Sequence, residues 1–126
     1  MLDRATVQAW LDAYVQAWKT YDKERIGNLF SEDVTYFYTP YSTPMHGRDA
    51  IVAAWLEETD APGTYDGHYE PIMIEDNRAV TNGRSRYFEQ DGKALKYEWD
   101  NIFVLEFDAD GRCKEYREWY MKRPEG

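Results

Sequence analysis

The chain has 126 residues, a length that fits a single domain spanning 1–126 with one hydrophobic core. Its net charge is −9 and its 15 Lys and Arg are scattered, so phosphate backbones and anionic lipid would be repelled, and neither nucleic acid nor a membrane is an expected partner. Cys113 is the one cysteine, which leaves no internal disulfide, and no 18-residue apolar run or charged-then-apolar leader pattern stands in the sequence; a soluble cytoplasmic protein is the expectation.

Residues 3–19 predict a helix. Val7, Trp10, Leu11, Tyr14, Val15 and Trp18 recur at i, i+3, i+4 and i+7. Asp3 can cap the start by accepting from free backbone N–H groups. Asp22 opens a short second helix with Ile26, Leu29 and Phe30 turned inward, ending on Leu29-Phe30. An acidic turn, Ser31-Glu32-Asp33, then precedes a β-branched and aromatic run from Val34 to Tyr38. A Pro-rich loop leads to His46-Gly47-Arg48, where a third helix runs to about Glu58, burying Ile51 and Trp55. Ala61-Pro62-Gly63 ends it, since Pro cannot continue a helix.

Beyond residue 64 the apolar period changes from 3.6 to 2. Strands are expected at 65–75, 78–90, 94–107 and 112–121. Asp91-Gly92 and Asp108-Ala109-Asp110-Gly111 between them are hairpin signals, because Gly tolerates φ > 0. Three consecutive hairpins make an antiparallel meander, and helices followed by long strands are an α+β pattern. Long antiparallel strands twist and curl, so the aromatic first helix can pack into a concave sheet and leave a cleft at the open end. Aromatics make up 17% of the chain, with 11 Tyr and 5 Trp. These large side chains with polar tips suit the lining of a half-wet cavity as well as the filling of a small core.

The tyrosine-bearing first helix, Leu29-Phe30-Ser31-Glu32-Asp33-Val34, Met45-His46-Gly47-Arg48-Asp49-Ala50-Ile51, and Phe107-Asp108-Ala109-Asp110-Gly111-Arg112-Cys113 followed by Glu118-Trp119-Tyr120 resemble the nuclear transport factor 2-like superfamily. Within it they are similar to the SnoaL-like and ketosteroid-isomerase-like proteins. The resemblance covers nearly the whole chain. It implies a cone-shaped α+β barrel, with three N-terminal helices packed on a strongly curved, mainly antiparallel sheet around a cavity. It also implies a homodimer paired through the outer sheet face. In the ketosteroid isomerases a first-helix Tyr donates to an oxyanion, and Tyr14 occupies the like place. Tyr38 stands where their Asp base falls, Phe103 where their protonated Asp falls, and Trp55 where a supporting Tyr falls. Abstracting a proton beside a carbonyl needs a group able to hold it; Phe cannot, and Tyr, with an ordinary pKa near ~10, is poorly suited. That mechanism is therefore excluded. SnoaL-like dehydratases pair a first-helix Tyr with a His early in the first long strand; Tyr14 and His68 resemble that pair, but Trp18-Lys19 stands where they carry an Asp.

Strand alternation places Trp99, Asn101, Phe103 and Leu105 on one inward face, with Tyr116, Glu118 and Tyr120 of the last strand and Asn82, Arg84, Arg86 and Phe88 of the 78–90 strand. An inward Glu118 in an aromatic cavity would have its pKa raised by desolvation and suit acid–base work. The plainer expectation is an ion pair with Arg84 or Arg86, because buried charges are usually paired. His68 is either a proton shuttle or a rim residue facing water. Tyr14 either donates to a ligand oxygen or is a core Tyr whose hydroxyl meets a buried carboxylate. Trp10 and Trp18 fit a core, Trp119 an outward face and a dimer interface, and Cys113 a small buried hydrophobe. His46 belongs to a loop or helix entry, with Arg48 and Asp49 in the turn that follows. Neither His has a His or Cys at ligand spacing, and phosphate-loop and nucleophile-elbow motifs do not occur; no metal or other cofactor is expected.

These readings point to a small-molecule cavity protein. As a catalyst it would be a cofactor-independent lyase or isomerase acting on a mostly apolar, oxygenated ligand. The candidate catalytic residues are Tyr14, His68 and Glu118, and the ligand-facing residues Tyr38, Trp55, Arg84, Trp99, Asn101, Phe103 and Tyr116. The alternative is a non-catalytic dimeric module that binds a ligand or a partner protein and uses Arg84–Glu118 as a structural tie.

Overall fold

A computed structural model of the chain describes residues 2–124. Helix α1 (Arg4–Thr20) begins at Asp3, whose Oδ1 accepts from the Thr6 backbone N–H at 2.8 Å. Helix α2 (Lys23–Asn28) begins in the same way, with Asp22 Oδ1 accepting from the backbone N–H groups of Glu24 and Arg25. Each carboxylate satisfies N–H groups that have no partner within the helix. Strand β1 (Phe30–Phe37), the two-residue β2 (Met45–His46) and helix α3 (Arg48–Glu57) follow, then the long strands β3 (Tyr65–Glu75), β4 (Arg78–Phe88), β5 (Leu95–Phe107) and β6 (Cys113–Lys122).

The six strands form one sheet in the order β2-β1-β6-β5-β4-β3. β3 to β6 are the expected meander, closed by turns in which Asp91 and Asp108 side chains accept backbone N–H bonds. β1 adds to β6 in parallel and β2 to β1 antiparallel. The architecture is α+β, with three helices packed on a mainly antiparallel sheet. Val7, Leu11 and Trp10 of α1 enter a core shared with Phe30, Val34, Ile51, Phe103, Leu105 and Phe107.

Two local expectations are corrected. α2 does not reach Phe30, and residues 31–33 are strand rather than turn. Phe30 is fully buried, pairs in register with Cys113 and meets the Trp10 ring edge-on, while Trp10 Nε1 donates to the Leu29 carbonyl at 2.9 Å. Core burial thus draws the chain into the sheet four residues before the β-branched run. His46, expected in a loop or helix entry, lies in β2.

The larger correction is the parity of β4. Ala79, Thr81 and Ser85 are buried, and Asn82, Arg84 and Arg86 point to the outer face. Register pairs Thr81 with Phe103, Gly83 with Asn101 and Ser85 with Trp99, so the inward set is the odd-numbered one. The inner residues of this strand are small because Tyr69 of β3 lies across them. A Cβ on Gly83 would collide with the Tyr69 ring and backbone and with the His68 carbonyl oxygen, and one on Gly67 would meet the Tyr69 hydroxyl and Trp18. A strand that carries glycine and serine under a neighbour's ring does not advertise its buried face by hydrophobicity.

Gly83→Ala is therefore expected to destabilise the fold by about 1–3 kcal/mol through overpacking, measured as a lowered urea midpoint with an unchanged m-value. An unaltered midpoint would show that Tyr69 does not depend on this space.

Candidate functional site

Between α1, α3 and the inner face of the sheet lies a cavity of about 780 Å³ that opens to solvent. That is within the range of small-molecule sites, roughly 300–1,000 Å³. Tyr14 and Trp18 come from α1, Trp55 from α3, Tyr36 and Tyr38 from β1 and the chain just after it, and Tyr69, Tyr87, Tyr97 and Trp99 from the meander. Strand pleating brings the latter side chains to one face, and the helical repeat brings Tyr14 and Trp18 to one side of α1. At one edge, Asp60 ties the segment after α3 to α1: Trp18 Nε1 and the Tyr21 hydroxyl both donate to Oδ2, each at 3.2 Å.

A chain of hydrogen bonds crosses the floor. Tyr116 Oη donates to Glu118 Oε1 at 2.7 Å, and Asn101 Nδ2 donates to Oε2 at 3.0 Å. Ser85 Oγ donates to Asn101 Oδ1 at 2.9 Å, which leaves it to accept from the Tyr69 hydroxyl in a short contact. On the other side the Tyr116 hydroxyl directs its hydrogen at Glu118, so at 3.3 Å Tyr14 Oη is the donor. Five residues on α1, β3, β4, β5 and β6 thus point their donors toward one carboxyl group.

Glu118 receives only neutral donors, and no Arg or His reaches it among the described residues. Desolvation raises its pKa to about 7, against the lowering effect of the Tyr116 and Asn101 bonds. A carboxyl balanced near neutrality can both take and release a proton. The hydroxyls of Tyr14, Tyr36 and Tyr116 are held well above their usual range, first by burial and then by neighbouring tyrosines and the Glu118 charge. They are donors, not bases.

The structure brings together Tyr14, Tyr38, Trp55, Trp99, Asn101 and Glu118 around the cavity. Phe103 and Tyr116 face the same way but lie deeper; both are buried, and their rings sit 5.3 Å apart beneath Tyr14. Two candidates fall elsewhere. His68 pairs in register with Arg84 on the outer face, so it cannot shuttle protons to this cavity. Arg84 joins Asp100 at 3.6 Å, and Arg86 joins Glu98 at 3.2 Å, both on the outer face. The expected Arg84–Glu118 or Arg86–Glu118 tie does not form, because the parity of β4 places the guanidinium groups across the sheet from the carboxyl. Ser85 and Tyr87 were not anticipated, for the same reason, and Tyr69 because it is the neighbour of His68 on the opposite face of β3; the signal that could have found them is the Gly67/Gly83 pair, which marks the place where a ring can lie flat. Cys113 is buried, donates to the Glu115 carbonyl, and has its thiol pKa pushed up by desolvation, as befits a core residue. Among the described residues no group of three or more His, Cys, Asp or Glu is placed to hold a metal ion, and no helix is long and apolar enough to cross a membrane.

The chain belongs to the SnoaL-like domain family, which matches residues 11–116. Among solved structures it is similar to an NTF-2 like protein of unknown function from Burkholderia xenovorans LB400, with a TM-score of 0.71, 15% sequence identity, and coverage of 97% of this chain and 88% of the other. At that identity the likeness establishes the NTF2-like fold alone. No curated protein sequence matches the chain.

The raised pKa of Glu118 makes stability depend on pH. The folded chain holds this proton more tightly than the unfolded chain does. Its contribution is full below the ordinary carboxylate value of 4.5 and is lost as pH rises through about 7. Glu118→Gln should abolish this part of the fall in stability between about pH 5 and about pH 8. The difference between the two profiles is expected at about 1–3 kcal/mol, the upper value being the full shift and the lower allowing for water in the open cavity. Parallel profiles for the two proteins in urea titrations would refute the shift.

Proposed function

We propose that this single-domain chain binds a small organic molecule in the cavity and, without a cofactor, moves a proton on it as an isomerase or dehydratase does, with Glu118 as the proton acceptor and donor. The observation that carries this reading is the convergence of Tyr14 and Glu118 on one open cavity, linked through Tyr116. A proton leaving the ligand is taken up by Glu118. The protonated carboxyl then donates to Tyr116 Oη, Tyr116 donates to Tyr14 Oη, and the Tyr14 proton is freed to turn toward an oxygen of the ligand on which negative charge has developed. Base and oxyanion donor are thereby coupled through two hydroxyl rotations, with no net change in the proton count of the tyrosines. Trp55, Trp99 and Tyr38 supply the walls. Asn101 orients the carboxyl, and through Ser85 its own orientation is held by Tyr69. A cytoplasmic setting fits the free thiol of Cys113.

The homodimer belongs to the same proposal. Ile102, Trp119 and Met121 stand exposed on the outer face, Trp119 at 42% and Met121 at 75%. Ile102 and Trp119 are register partners on adjacent strands, so their side chains form one apolar surface. Arg84, Asp100 and Arg123 border it with charges already paired among themselves, Arg123 and Asp100 by two bonds of 2.7 and 3.0 Å. A second copy meeting this face would bury aromatic and aliphatic area at its centre and keep satisfied ion pairs at its rim.

Two experiments test the reading. Ala54 lines the cavity from α3, so Ala54→Trp should fill it with little harm to the fold. Ligands found by a thermal-shift screen of oxygenated fragments are expected to bind the native protein and not this variant. For those with an enolisable C–H, the native protein should catalyse exchange with deuterium oxide, and Glu118→Gln should reduce the rate by about 10²–10⁴-fold. Hits that bind both proteins equally would place the site elsewhere; binding without exchange would leave a non-catalytic module. For the dimer, Trp119→Glu should convert a two-chain species to a monomer in size-exclusion chromatography with light scattering, and an unaltered mass would exclude this face.

A further inference from the structure

The cavity is lined by aromatic faces and carboxylates. Among the described residues no Lys, Arg or His lines it, whereas Glu57, Glu58, Asp60 and Glu118 all do. Lys122 Nζ lies 5.4 Å from the centre of the Tyr97 ring, and Lys96 Nζ 5.8 Å from the same ring. Those contacts show that a ring of this wall accepts an ammonium, as the negative face of an aromatic quadrupole should. Among the described residues no ammonium or guanidinium lies over Tyr14, Trp55, Tyr69 or Trp99.

A second observation concerns α3. A helix C-terminus carries partial negative charge and favours Lys, Arg or His in its last turn. α3 has no basic residue in its last turn and ends on Glu57, with Glu58 as its cap. Both point to the cavity mouth, where helix end and carboxylates reinforce one another. Local chemistry that works against its own helix fits a role in the site better than one in folding. The field reaches the length of the cavity. After desolvation, the tyrosine pKa values are raised further by Glu118, Glu57 and Glu58 at Tyr38 and by Asp60 and Glu118 at Tyr87. Asp60 is partly offset by its donors Trp18 and Tyr21, and Glu118 by Tyr116 and Asn101, but all of these are neutral.

We infer that the ligand of this cavity is an organic cation, an amine with an apolar body: the body lies between Trp55, Trp99 and the tyrosine rings, and the ammonium sits among aromatic faces within the field of Glu118 and the α3 carboxylates. This rests on the reading of the cavity as the binding site. It specifies a charge that the sequence reading of a mostly apolar, oxygenated ligand did not assign.

Three probes of equal length separate the possibilities: 4-phenylbutylamine, 4-phenylbutanol and 4-phenylbutyrate, titrated calorimetrically against the full chain at neutral pH and low salt. The amine is expected to bind about tenfold or more tighter than the alcohol, and the butyrate more weakly than either. The double variant Glu57→Lys, Glu58→Lys changes exposed residues at a helix end and should lose most of the amine's advantage over the alcohol. Ala54→Trp should abolish binding of all three. Alcohol binding equal to or tighter than that of the amine overturns the cation assignment and leaves the cavity reading intact; an amine advantage that persists in the double variant overturns the part assigned to the α3 carboxylates. Amine binding that survives Ala54→Trp, or binding of none of the three by the native protein, overturns both.

Discussion

The inner face of this protein is organised around a carboxyl group that, among the described residues, no arginine or histidine reaches. Glu118 is stabilised by neutral donors, and each donor depends on the next: Tyr14 on Tyr116, Tyr69 on Ser85, Ser85 on Asn101. Neutral hydrogen bonds contribute about 0.5–1.5 kcal/mol each, and a buried group left without its partner costs more than that. The chain therefore functions as a unit, joining α1 to four strands. It also fixes register. A slip of one residue in β4 would present Arg84 or Arg86 in place of Ser85, and a slip in β5 would remove Asn101 from the carboxyl. A guanidinium built into the inner face would pair with Glu118 in the empty cavity, before any ligand arrived. The pairing of Arg84 and Arg86 with Asp100 and Glu98 keeps those cations on the other side of the sheet.

Open space among so many aromatic rings needs its own cause. Tyr69 supplies it by lying flat. Gly67 and Gly83 leave room for its ring against the sheet, and its hydroxyl finds Ser85 rather than projecting across the interior. Below it Phe103, Tyr116 and Tyr36 are packed tightly, the last two stacked at 4.1 Å and 7°. The protein thus has two interiors along one axis. One is a dense aromatic core with Trp10, Phe30 and Phe107; the other is a hollow rimmed by Trp18, Tyr87 and Tyr97. α1 serves both, with Trp10 and Leu11 in the first and Tyr14 and Trp18 at the second.

The order of elements was legible because it rests on strong local signals. The 3.6-residue stripe of α1, the Asp caps and the Asp-Gly turns act within a few residues, and they agree with what the sheet requires. The inward orientation of β5 and β6 was equally legible, since Phe103, Leu105 and Tyr116 mark their faces. β4 was not, because its buried face holds Thr81, Gly83 and Ser85 and its outer face long-stemmed arginines. There the deciding contact is Tyr69, sixteen residues away from Ser85. The same distance in sequence hid the site's polar chain. Tyr14, Asn101 and Glu118 could be singled out individually, but the links through Ser85 and Tyr69 depend on a strand parity that pattern alone assigned to the opposite face. His68 failed for a related reason: alternation in β3 gives the inward places to Tyr65 and Tyr69, and His68 lies between them.

Where the molecule departs from local rules is informative because it obeys them elsewhere. α1 and α2 have acidic N-caps with bonds in place, the hairpin turns are closed by aspartates, and the outer-face arginines each meet a carboxylate. The departures are a half-buried Glu with no counter-cation among the described residues, a helix that ends on glutamates, and a long strand with glycine in its middle. Glu118, the end of α3 and Gly83 are far apart in sequence, yet the first two line one cavity and the third makes room for the ring on its wall. Stability would be better served by a neutral residue at 118 and a lysine at the end of α3. Local costs that collect on a single hollow, in a sheet whose remaining positions are consistent with one another, identify that hollow as the part of the chain shaped by something other than folding.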